Sequence, residues 1–119
     1  MQNFKYIEQR IVSIIQSRND IQKQEGLNWL SSNFESIKDS TFTICTKPLT
    51  VNLSSKNDMV LKLTTDIIGQ ILEHGKPNYL EPKKCIKLLI ANVLPKKEIR
   101  KIAKRCLISF TEKLDSEEI

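Results

Sequence analysis

Little in this chain breaks a helix or stacks on a base. Glycine occurs three times and proline four times in 119 residues, and aromatic residues make up only 6%. So few helix breakers argue against a loop-dominated or disordered chain. So few aromatics weaken any reading that needs stacking platforms for nucleic-acid bases. Cysteine is also scarce and odd in number: Cys45, Cys85 and Cys106 lie far apart, with none of the short spacings of a zinc or redox motif. Each sits in an apolar stretch, which predicts small buried hydrophobes in a reducing compartment.

Targeting signals are not expected either. Met1 to Tyr6 has neither a basic opening nor a long apolar run, and no later apolar run exceeds a few residues. A signal peptide and a membrane span are therefore not expected, and the expected location is cytoplasmic, with cytoskeletal association implied only by the resemblance below. No GxxxxGK[ST], GxSxG or HExxH pattern and no carboxylate pair occurs. His74, the only histidine, has no nucleophile or metal companion in view and reads as a surface or helix-capping residue. The expectation is a protein that is not an enzyme and needs no cofactor and no metal.

What the chain does contain is a helical pattern and an uneven distribution of charge. Hydrophobic residues are 39% and charged residues 28%, enough of each for one globular domain with a solvated surface. The net charge is +5, and nine Lys or Arg fall between Lys83 and Arg105 against one acid, Glu98. The last eight residues carry four acids and one Lys. A basic segment predicts an acidic partner surface: nucleic acid, anionic lipid or an acidic protein.

Apolar spacing predicts six helices. The first covers Tyr6 to Ser17, with Ile7, Ile11, Ile14 and Ile15 on one face. The second covers Ile21 to Phe34, capped by Asp20, with Trp29 beside its Leu27, Leu30 and Phe34 stripe; core packing is the expected role of Trp29, partner anchoring the alternative. Thr41 to Leu53 alternates like a strand, yet Pro48 within it argues against a central strand, so it reads as a short helix kinked there, with Asp39 and Ser40 as cap candidates. Met59 to Glu73 is the clearest helix, stopped by Gly75-Lys76-Pro77-Asn78. Tyr79 to Leu94 and Ile99 to Leu114 complete the set, separated by Pro95, and a frayed tail follows from Asp115.

The turns repeat. Asn19-Asp20-Ile21, Asn57-Asp58-Met59 and Lys97-Glu98-Ile99 each open the second helix of a pair, at intervals of 38 and 40 residues. Helix-pair repeats recur at about 40 residues, and about three are needed to bury a continuous core. The expected organisation is one domain over residues 1–114, with repeats near 4–35, 39–74 and 79–114 and an acidic tail at 115–119.

Glu98-Ile99-Arg100, followed by Ala103 and Leu107, resembles the opening of the second helix of a HEAT repeat. Asp58-Met59-Val60 through Leu63, Ile67 and Gly69 is similar, and Pro48 resembles the proline many such repeats carry in their first helix. A narrower resemblance is to the TOG-type arrays of microtubule regulators. It rests on Gln24-Glu25-Gly26-Leu27, Leu53-Ser54-Ser55-Lys56-Asn57-Asp58-Met59-Val60, Gly69-Gln70-Ile71-Leu72, Tyr79-Leu80 and Lys96-Lys97-Glu98-Ile99-Arg100. It departs from that pattern in having three repeats rather than six, and in carrying its Trp outside the first turn. The resemblance implies an all-α fold, a right-handed α-solenoid of three antiparallel helix pairs.

In such a stack the turns within pairs line up along one edge. That edge would gather Arg18, Lys56, Asn57, Lys96, Lys97, Arg100 and Lys101 into a partner-binding row, while Asp39, Glu73, His74 and Lys76 occupy the opposite edge. The expected function is a non-catalytic protein-interaction module, and the resemblance points to tubulin or another acidic protein as partner. Two alternatives stand beside it: a basic helical nucleic-acid binder using Lys83 to Arg105, and a structural piece of a larger helical scaffold. The oligomeric state is left open.

Overall fold

A computed structural model describes residues 4–74 and 80–113, and they are all-helical, with no strand among them. The expected stop at residues 75–78, the Tyr79 helix opening, Lys76 and the 115–119 tail lie outside the described residues. The helices are α1 (Phe4–Ile15), α2 (Asp20–Ser32), α3 (Asp39–Asn52), α4 (Asp58–Glu73), α5 (Pro82–Leu88) and α6 (Arg100–Lys113). A 3₁₀ turn, Phe34–Ser36, follows α2, and a π-helical turn, Leu89–Val93, extends α5.

The ambiguous Thr-rich segment is a helix of 14 residues, longer than the short helix expected. Its hydroxyls turn inward along the helix: Thr43, Thr46 and Thr50 donate to the carbonyls of Asp39, Phe42 and Thr46 at 3.0, 3.1 and 2.9 Å. Hydroxyls satisfied in this way no longer compete with the helical backbone. Pro48 removes only the donor due to Ile44, whose residue is exposed to water. The alternation that looked strand-like arises because Ile44 and Val51 face solvent while Phe42, Cys45, Leu49 and Leu53 are fully buried.

Caps differ from expectation by one residue. Asn19, not Asp20, caps α2, its Oδ1 accepting from the Ile21 and Gln22 amides at 2.9 and 3.2 Å. At α3 neither Asp39 nor Ser40 caps. The helix opens at Lys38, which makes no side-chain cap of its own. Glu8 of α1 serves that end instead, its Oε1 accepting from the Lys38 amide at 3.0 Å and the Thr41 hydroxyl at 2.6 Å. The second helix stops at Ser32 rather than Phe34 because Asn33 leaves helical geometry and returns its amide and side chain to Trp29 O. The fifth helix tightens to seven residues before the π turn, in which the Leu94 amide reaches Leu89 O at 2.9 Å.

Packing follows an interval of one helix pair. Within pairs, α1 lies on α2, α3 on α4 and α5 on α6; between pairs, α1 lies on α3, α2 on α4 and α4 on α6. A continuous core fills the space between, from Ile11, Ile15 and Leu27 through Ile67, Ile68 and Ile71 to Val93, Ala103 and Phe110. Trp29 packs half-buried against it. Hydrogen bonds keep the same interval. Asn52 Nδ2 donates to Ile15 O at 3.2 Å and Asn92 Nδ2 to Leu53 O at 2.9 Å, across 37 and 39 residues. Each asparagine thus ties the end of one first helix to the end of the first helix before it, where backbone carbonyls lack helical partners.

Two glycines show how tightly the pairs are set. A Cβ on Gly26 would lie 2.6 Å from Ile14 Cγ2 and 3.1 Å from Ile15 Cγ2. Both are branched carbons held close to the α1 backbone, so they have little room to withdraw. A Cβ on Gly69 would meet only Cys106 Sγ, at an ordinary 3.4 Å. Gly26→Ala is therefore expected to lower stability by about 1 kcal/mol, overpacking outweighing the gain in helix propensity. Gly69→Ala should raise it by about 0.5–1 kcal/mol through propensity alone. Urea unfolding of the two variants measures both signs.

Candidate partner-binding surface

The turn between the helices of a pair is built the same way twice. Ser17-Arg18-Asn19-Asp20 and Ser55-Lys56-Asn57-Asp58 are the same tetrapeptide pattern, serine, base, asparagine, aspartate. In both, the serine hydroxyl accepts from the asparagine amide, at 3.0 and 3.1 Å, and the asparagine Oδ1 caps the next helix. That double lock forces the intervening base outward, and Arg18 and Lys56 are exposed. In the third turn Pro95-Lys96-Lys97-Glu98 replaces the motif, and Arg100 Nε donates to Leu94 O at 2.8 Å in its place.

Adjacent turns touch. Asn57 Nδ2 donates to Asp20 Oδ2 at 3.4 Å, and Lys96 Nζ lies 3.1 Å from Asp58 Oδ1. Five of the seven expected residues are thereby accounted for in one line of turns: Arg18 stands beside Asp20, Lys56 and Asn57 beside Asp58, and Lys96 and Lys97 in the third turn. Arg100 and Lys101 follow on the first turn of α6, both exposed.

The row is less purely cationic than its bases alone suggest. Asp20 and Asp58 interleave with it, because each helix opens with an acid that favours the positive helix N-terminus. Lys96 is engaged by one of them, and Arg100 by a carbonyl. Arg18, Lys56, Lys97 and Lys101 make no ion pair among the described residues and are exposed. A partner would meet four free cations set among ion-paired and hydrogen-bonded groups. The serine positions and the interleaved acids were legible in the sequence as the repeated tetrapeptide, a signal that reading the bases alone passes over.

On the opposite edge, Glu73 pairs with Arg105 at 2.7 Å, and His74 closes α4 with its amide and Nδ1 donating to Gln70 O at 3.0 and 2.8 Å. The His74 ring also packs on Phe34, centroids 4.8 Å apart. His74 is thus engaged as a helix cap. Between α4 and α6 lies a shallow polar cleft of about 150 Å³, bordered by Asp66, Gln70, Glu73 and Arg105.

The three thiols are buried, as expected of small hydrophobes. Burial pushes Cys45 and Cys106 up to about 12, with Glu8 adding to the first and Asp66 to the second. Cys85 is raised by burial as well, against the opposing hydrogen bonds from Thr50 and the Glu81 backbone. Thiols held protonated in this way are poor nucleophiles at neutral pH. No group of three or more His, Cys, Asp or Glu is placed to hold a metal ion among the described residues. No helix there is long and apolar enough to cross a membrane. Comparison with protein-family models, with curated proteins and with solved structures finds no match for this chain.

Proposed function

We propose that the chain is a HEAT-type stack of three helix pairs that binds another protein without catalysis, through the edge formed by the turns within its pairs. The observation that carries the reading is the contact between successive turns, Asp20 with Asn57 and Asp58 with Lys96, which aligns residues 37 and 38 positions apart. The one-pair interval of the helix packing supports the stack, and the free cations Arg18, Lys56, Lys97 and Lys101 supply the recognition charge. An acidic protein surface is the complementary partner, and tubulin is the candidate that the TOG-type resemblance raises. Exposed charges of this kind contribute little one by one, about 0–1 kcal/mol each, so the edge acts as a set. It favours fast, salt-sensitive association.

The distribution of cations favours a protein over a nucleic acid. The nine bases of Lys83 to Arg105 divide among the turn edge, the outside of α5 and α6 and the Glu73 ion pair, rather than forming one track for a phosphate backbone. Arg18→Glu, Lys56→Glu and Lys97→Glu combined leave the Asp58–Lys96 pair intact. In co-sedimentation with microtubules and gel filtration with soluble tubulin, the triple variant is expected to weaken binding about tenfold or more at low salt. Unchanged binding by a folded triple variant would remove the edge as the site. No tubulin binding by the wild type at either low or physiological salt would remove tubulin as the partner.

A further inference from the structure

The side of α5 and α6 that faces away from the preceding helix pair has no element packed on it among the described residues. Its direction is fixed by contacts on the other side. Cys85 Sγ lies 3.8 Å from Thr50 Oγ1 of α3, and Asn92 reaches Leu53 O, so this flank of α5 and the π turn meets α3. Cys106 Sγ donates to Thr65 O of α4 at 3.4 Å, and Ile99, Ala103 and Phe110 are buried on the same flank of α6. About half a turn round from those positions stand Lys83, Lys87 and Ile90 on one helix and Lys101, Lys104 and Ile108 on the other. All six are exposed, Ile90 at 51% and Ile108 at 56%. Because α3 packs on α4 and α5 on α6, the two flanks point the same way.

The chemistry of that face is specific. It has two isoleucines in water, four lysines around them, and one acid, Glu112, one helical turn beyond Ile108. Glu81 and Glu98 stand before the first turns of α5 and α6 instead. Cations outnumber the acid four to one here and surround two large apolar side chains, which a face kept only for solubility does not need.

We propose that this face is a second binding surface, adjoining the turn edge at Lys101, and that it takes an acidic amphipathic helix from a partner protein. The apolar side of the incoming helix would cover Ile90 and Ile108, in the manner of helix-in-groove recognition, while its acidic flanks would meet Lys83 and Lys87 on one border and Lys101 and Lys104 on the other. The lysines set register and on-rate, and the isoleucines supply the desolvated contact.

The test uses the full chain, isotope-labelled, titrated with a synthetic helical peptide carrying a leucine face flanked by glutamates. A second peptide has the same composition in an order that destroys the apolar face. Amide shifts confined to 83–94 and 100–111 are expected with the first peptide, and about tenfold weaker binding with the second. Lys87→Glu with Lys104→Glu, and separately Ile90→Ser with Ile108→Ser, should each weaken the first peptide about tenfold, with unchanged thermal melting because all four residues are exposed. Arg18→Glu with Lys56→Glu should leave peptide binding unchanged, which keeps this surface distinguishable from the turn edge. Equal binding of the two peptides would overturn the proposal, since charge alone would then suffice. A 20-base-pair DNA duplex binding more tightly through the same residues would overturn it too, in favour of phosphate recognition.

Discussion

Phe42→Ala is expected to destabilise the protein by about 3–5 kcal/mol, the cost of emptying a fully buried aromatic site. Phe42 is 0% exposed on α3, and its ring meets Phe34 with centroids 4.8 Å apart and planes at 48°. Phe34 in turn packs on His74 at the end of α4. The cavity would therefore open where the connection from the first pair to the second crosses the ends of two helices, a place with little freedom to collapse. A domain of this size has about 5–15 kcal/mol to lose in total, so the variant should sit close to its unfolding threshold. Urea denaturation with far-ultraviolet circular dichroism measures it. Phe42→Leu, which keeps most of the volume, should lose less than half as much. Equal losses for the two variants would show that the site does collapse.

The second large effect concerns Glu8. Its carboxylate is 7% exposed, yet it is held by the Thr41 hydroxyl and the Lys38 amide, so α1 supplies the cap that α3 lacks. Burial by itself would raise the carboxyl pKa. The Thr41 and Lys38 hydrogen bonds and the Lys38 charge outweigh it, and the group ends below its ordinary 4.5. Glu8→Ala would leave a buried hydroxyl and a helix-end amide without their acceptor, at a cost of about 1–3 kcal/mol. Because the folded pKa is depressed, the carboxylate's contribution is fully present above the unfolded value of 4.5 and is lost as pH falls through the folded one. Acid titration of stability should therefore show a steeper loss below pH 4.5 in the wild type than in Glu8→Gln, which cannot titrate there. Parallel curves for the two proteins would mean that the carboxylate does not stabilise the fold.

How much of this was legible beforehand differs from element to element. Met59 to Glu73 was readable because Val60, Leu63, Ile67, Ile68, Ile71 and Leu72 repeat at helical spacing, and α4, with all of them buried but the half-buried Leu63, is the central helix touching both α2 and α6. Thr41 to Leu53 was ambiguous because its alternation and its threonines pull toward a strand, although Pro48 argues against a central one. Burial of Phe42, Cys45 and Leu49 between neighbours overrides them. The cap of α3 was not legible at all, since its acceptor comes from 30 residues earlier in the chain.

The candidate edge divides in the same way. The sequence by itself determined that the chain is helical, that its turns recur at an interval of 38 to 40 residues, and that a base stands in each turn. These follow from local rules: apolar periodicity, asparagine caps and the scarcity of breakers. Only the tertiary structure decided which of those bases are free. Whether Lys96 meets Asp58, whether Asn57 turns to Asp20, and whether the α5 and α6 lysines share a face all depend on how neighbouring pairs sit. A side chain's charge is a property of its residue. Its availability to a partner is a property of what the fold places within 4 Å of it, and no periodicity in one dimension carries that distance.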